Sequence, residues 1–171
     1  MGPFLVISVL AVALTAWQVR VDRSVFERFF GAAHPVMVII AAVAIGADLV
    51  LHHAEDTNVA MPDALSFYPA MAVFVEIALH LVPAVLGPPT GLDATLWRIA
   101  IPVALIEAIV QAVYATSITT SVFSAVHLMV FGLVQVWIFW RFGFTWMLGF
   151  RLAYYCLWHL AWGVVRLELL L

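Results

Sequence analysis

The stretch that decides the fold is 117-SITTSVFSAVHLMVFGLVQVWIFWRFGFTWMLGFRLAYYCLWHLAWGVVR-166, which reads as two long apolar segments, Ser117–Trp140 and Phe142–Val165, joined by a turn at Arg141. A helix of about 20 apolar residues crosses the hydrocarbon core of a bilayer, so each segment reads as a span. Each carries one histidine, His127 and His159. Residues four apart on a helix share a face, which pairs Phe123 with His127 and His159 with Gly163. Ionisable groups inside a span are costly to keep, so these two imidazoles are the first candidates for chemistry.

The rest of the chain extends the pattern. Of 171 residues, 66% are hydrophobic and 10% charged, which leaves no room for a separate soluble domain. The expectation is an all-α, polytopic transmembrane helical bundle of about six spans, forming one integral-membrane domain over 1–171. The first span is Gly2–Val19, and a polar hinge with Arg20, Asp22, Arg23, Glu27 and Arg28 precedes the second, Ala33–His53. An acidic loop, Ala54–Ala64, leads to the third, Leu65–Gly87, which stops at Gly87-Pro88-Pro89 because proline cannot continue a helix. The fourth is Leu96–Ala115, with a tight turn at Thr116–Thr120 before the fifth. The opening MGPFLVISVL lacks the positive charge of a secretory leader, so it reads as a retained span.

Charge narrows the functions. All seven basic residues are arginine, they sit mostly in short loops, and no basic face suggests nucleic acid. Arg20, Arg23, Arg28, Arg98 and Arg141 fall on one side if the spans alternate, which puts those loops in the cytoplasm and both termini outside. The single cysteine, Cys156, cannot form a disulfide within the chain.

The intramembrane polar residues are Glu76, His80, Glu107, His127, Arg151 and His159. At about 1.5 Å of rise per residue, Glu76, Glu107 and His127 lie roughly 13 to 15 Å below the outer ends of their spans and His159 roughly 9 Å below. Four groups on separate helices thus occupy nearly one layer. Arg151, Tyr155 and His159 make a polar stripe on the last span, Thr120, Ser124 and His127 on the fifth, and Glu107, Gln111 and Tyr114 on the fourth. Polar stripes on apolar helices turn toward one another. A carboxylate and two imidazoles in a water-poor site suit base activation of water, with neutral imidazoles able to donate to an oxyanion. The two rings, His127 and His159, are also candidate ligands for a divalent metal such as zinc. A buried His–Glu pair equally serves as a polar clamp between helices. His34, His52 and His53 sit at span ends, where reaching the interface explains them, and Trp17, Trp97, Trp137 and Trp140 read as interfacial anchors.

Three motifs carry a resemblance: Val75-Glu76 with His80, Phe123-Ser-Ala-Val-His127, and Trp158-His159 with Gly163. In order and residue type they resemble the motifs of the CAAX protease and bacteriocin-processing family of intramembrane proteases. That family has paired glutamates followed by an arginine, then Phe and His four apart, then His and Asn four apart. The match covers Phe74 to Arg166, within a motif-bearing core at about 65–166. Val75 stands where the first glutamate would be, His80 where the arginine would be, and Gly163 where the asparagine would be. Glu76 precedes His127 by 51 residues, and Glu107, the rival acid, by 20.

The resemblance implies that Glu76 activates water while His127 and His159 orient it and stabilise the oxyanion. His80, Phe123, Glu107, Arg151 and Tyr155 would support them. The implied substrate is a peptide or lipidated peptide entering from membrane lipid, and the implied location a prokaryotic cell membrane. The same residues also suit a non-catalytic family member, such as an immunity factor or a scaffold, or a bundle that binds haem or a quinone through His127 and His159.

Overall fold

The computed structural model describes residues 2–51, 58–82, 92–115 and 117–170, and among them every regular element is helical. Six helices follow in order: α1 Gly2–Val21, α2 Arg23–Leu51, α3 Ala64–Val75, α4 Leu92–Tyr114, α5 Ile118–Phe142 and α6 Phe144–Tyr155. α3 continues through a π-helical segment, Glu76–Leu81, and α6 through another, Cys156–Trp162, and on to Leu170. Four stretches are long and apolar enough to cross a membrane: Gly2–Arg20, Arg23–Leu51, Ala64–Leu81 and Ile118–Phe142. The span ends expected at His53 and Gly87 lie outside the described residues.

Two expected turns are corrected. The polar hinge is helix almost throughout, because Asp22 alone leaves the helical path and its carboxylate accepts from the Val25 N–H and the Ser24 hydroxyl, both at 3.2 Å. Those bonds meet donors that a new helix leaves unpaired, so α2 restarts at Arg23, with Arg23 and Glu27 paired on its exposed first turns. The turn after the fifth span, expected at Arg141 and Gly143, is at Gly143 alone. Gly143 has φ +94, a region open to glycine and strained for other residues. Arg141 is in the last turn of α5, where a cation meets the carbonyl end of the helix. At the other end, Ser117 caps α5 by accepting from the Thr120 N–H at 3.1 Å.

α6 is the organising element. Trp146, Met147, Phe150 and Tyr154 pack with Ile40 of α2 and Phe131 and Ile138 of α5 in one apolar cluster. Leu148 and Leu152, on its other face, pack with Ala11 of α1 and Ala72 of α3 in a second. Large apolar side chains outside these clusters, such as Leu10, Ile39, Ile109 and Val122, face outward, as lipid contact requires.

The pairing of α4 with α5 sets the level of the polar residues. A Cβ on Gly132 would lie 3.1 Å from Ala104, so the two backbones meet closely there. Nearer the turn, the Ser121 hydroxyl donates to the Ala112 carbonyl at 2.7 Å. Between these two contacts, Glu107 comes level with His127.

Candidate functional site

Arg151 is the hub of the buried polar layer. It is 2% exposed, and its Nε donates to Glu76 Oε1 at 2.5 Å. Nη1 pairs with Glu107 Oε1 at 2.8 Å and donates to the Tyr155 hydroxyl at 3.1 Å. Nη2 donates to Gln135 Oε1, while the Gln135 amide donates to Glu76. The guanidinium also lies over the Phe131 ring, 5.2 Å from its centroid. A charge removed from water needs partners on every side, and Arg151 finds them on α3, α4 and α5 as well as on its own helix.

Glu76 is wholly buried: its Oε1 is committed to two donors, while its Oε2, which makes no hydrogen bond among the described residues, lies against His80. Oε1 takes the Arg151 and Gln135 donors, and Oε2 lies 2.7 Å from His80 Nδ1. His80 is 2% exposed, and its Nε2 has no hydrogen-bond partner among the described residues. Neither residue lines the cavity that holds the two candidate imidazoles. The expectation that Glu76 meets His127 and His159 in a wet pocket is therefore corrected. The Glu76 side chain turns into the α3–α5–α6 contact, where Arg151 and Gln135 draw it.

The cavity itself has a volume of about 690 Å³ and is lined by Glu107, Gln111, Ser124, His127, Tyr154 and His159, with Phe123, Arg151 and Tyr155 also on its wall. Tyr114, Ala115 and Thr120 continue it toward the α4–α5 turn, while Phe74, Ala78 and Ile106 form an apolar flank. Glu107 gives one oxygen to Arg151, and its buried Oε2 has no hydrogen-bond partner among the described residues. A polar atom in that state calls for water or a ligand.

Each ring is held by neighbours. His127 stacks on Phe123, with centroids 5.4 Å apart and planes 22° apart, and its Nε2 lies 3.0 Å from the Tyr154 hydroxyl. His159 stacks on Tyr68 at 3.9 Å and 14°, and meets the Tyr155 ring edge-on at 5.0 Å. Its Nδ1 lies 2.9 Å from Asn58 Oδ1.

The donor set does not fit a metal ion. Among the described residues no three of His, Cys, Asp and Glu gather as a metal site. The lone pair on His127 Nε2 is also committed: either it accepts from Tyr154, or that nitrogen carries the hydrogen and has no lone pair to give. The same commitment counts against Nε2 as an axial haem ligand.

Five participants escaped the sequence reading: Tyr154, Gln135, Asn58, Tyr68 and Asp48. Gln135 had a usable signal, a lone amide mid-span at the right distance from Arg141 to be deep in the bilayer. Tyr154 was masked by Tyr155, which shares the four-residue spacing of Arg151 and His159. Compared with known proteins, the chain matches no family model, no curated protein and no solved structure.

Proposed function

We propose that this protein is a six-span intramembrane peptidase, related to the CAAX protease and bacteriocin-processing proteases, in which Glu107 and not Glu76 is the acting carboxylate. The observation that carries the reading is that Glu107, His127 and His159 line one cavity, with an unpartnered carboxylate oxygen on Glu107. α4 and α6 with its continuation supply the two spans beyond the four already long and apolar enough.

In this reading Arg151 fixes Glu107 through Oε1 and leaves Oε2 to a water. Glu107 takes a proton from that water as its oxygen bonds to the carbonyl carbon of a peptide. The oxyanion is met by the His127–Tyr154 pair, a preorganised donor in a site poor in water, while His159 accepts from the second O–H of the water and holds it in line. Collapse breaks the C–N bond, and Glu107 returns the proton to the leaving nitrogen. The apolar flank formed by Phe74, Ala78 and Ile106 suits a peptide, or a lipidated peptide, arriving from the bilayer.

The test is cleavage of a library of quenched-fluorescent transmembrane peptides by the protein reconstituted in liposomes. Glu107→Gln is expected to lose about 100-fold or more in rate while keeping its helical signal, the size expected for a lost general base. Full activity in Glu107→Gln would overturn the assignment.

One observation favours a second, non-catalytic reading. Arg151 ties α3, α4, α5 and α6 together through Glu76, Glu107, Gln135 and Tyr155, as a packing clamp would. Under that reading no peptide in the library is cut, and Glu107→Gln changes stability alone.

A further inference from the structure

Asn58 lies in the segment before α3, outside every span, yet it is 7% exposed and touches the last helix at two places. Its Oδ1 is 2.9 Å from His159 Nδ1. A Cβ built on Gly163 would meet Asn58 Oδ1 and Cγ, both at 3.4 Å. The Asn58 side chain therefore occupies the space that a side chain at position 163 would fill, one turn beyond His159 on the same helix. The segment is pinned there, because the next residue, Val59, donates its backbone N–H to the Tyr68 hydroxyl at 2.7 Å. Tyr68 is the ring stacked on His159. The imidazole is thus held on one face by Tyr68 and at Nδ1 by Asn58, both positioned by one short stretch of chain.

We infer that Asn58 is a positioning residue for His159, supplied from the α2–α3 connection in place of a polar side chain at Gly163. An amide oxygen only accepts, so the bond requires the hydrogen on Nδ1. Nε2 is then left with its lone pair, on a ring that lines the cavity. Gly163 is part of the same device, since a side chain longer than a methyl group there would compete with Asn58 for the ring. The inference rests on His159 belonging to the proposed site, but its principal test needs no turnover.

That test is long-range ¹H–¹⁵N correlation of histidine-labelled protein in nanodiscs, with the His159 signals assigned by their loss in His159→Gln. In the unmodified protein His159 is expected to be locked as the Nδ1–H tautomer. Asn58→Ala should release it into a mixture, and Asn58→Asp, which keeps the acceptor, should retain the lock. Gly163→Asn is expected to be disruptive alone, since its amide would overlap Asn58, and to restore the lock when combined with Asn58→Ala. In a cleavage assay Asn58→Ala should lower kcat about 10- to 100-fold, the usual effect of losing a partner that orients an active-site histidine. An Nδ1–H lock that persists in Asn58→Ala would overturn the inference. A lock that responds as described in a protein that cuts no peptide would leave the inference standing and overturn the peptidase reading instead.

Discussion

Arg151 is shared between two carboxylates. It gives Nε to Glu76 and Nη1 to Glu107, but Glu76 is enclosed by Gln135 and His80 away from the cavity, whereas Glu107 lines it. Removing the guanidinium leaves both acids buried without their cation. Arg151→Met is therefore expected to destabilise the bundle by about 3 to 5 kcal/mol, read from the midpoint of denaturant unfolding in mixed micelles. The hydroxyl of Tyr154 acts through His127, and the ring otherwise packs among Phe131 and Phe150. Tyr154→Phe keeps that packing, so it should cost only about 1 kcal/mol of stability. If the protein is the proposed peptidase, cleavage by Tyr154→Phe should fall more steeply than its stability, with KM little changed, because in that reading the lost bond bears on the transition state.

At the scale of the helix, phase was the limit of the sequence. Apolar runs made four long spans legible, and rise per residue gave the expectation of Glu76, Glu107, His127 and His159 in one layer. Azimuth was not legible, because α3 and α6 widen into π-helical turns at Glu76–Leu81 and Cys156–Trp162. Each such turn shifts the face that four-residue spacing implies. The motif match then favoured Glu76, while the close contact of Gly132 with Ala104 brings the other acid level with His127. Gly132→Ala would press a methyl onto the α4 backbone, and the helices must part. It is expected to cost about 1 to 3 kcal/mol and to reduce cleavage with it, since Glu107 rides on the displaced helix. Gly143→Ala strains the α5–α6 turn at φ +94 and should cost about 1 to 3 kcal/mol, seen in the same unfolding midpoint.

Across the whole molecule, the second half of the chain carries the cavity and the first half closes it. α1 and α2 contribute apolar contact to α6, and Asp48 of α2 binds both ends of a pair on the continuation of α6, the Trp162 indole at 2.8 Å and Arg166 Nε at 2.9 Å. Asn58 and Tyr68 add the hold on His159. Asn58 was not legible in the letters, because a loop folding back onto a helix leaves no periodic signal, whereas Asp48 had a usable one, an acid inside a span. The order of the helices was legible, and so were His127 and His159, because each stands out against an apolar background.

The central claim is that Glu107, and not Glu76, faces a water-filled cavity with the two imidazoles. A water-soluble carbodiimide with an amine nucleophile, applied to the folded protein in nanodiscs and read by peptide mass mapping, tests it without any substrate. The expected result is modification at Glu107 with Glu76 unmodified until the protein is unfolded. Modification of Glu76 in the folded protein, with Glu107 protected, would contradict the account.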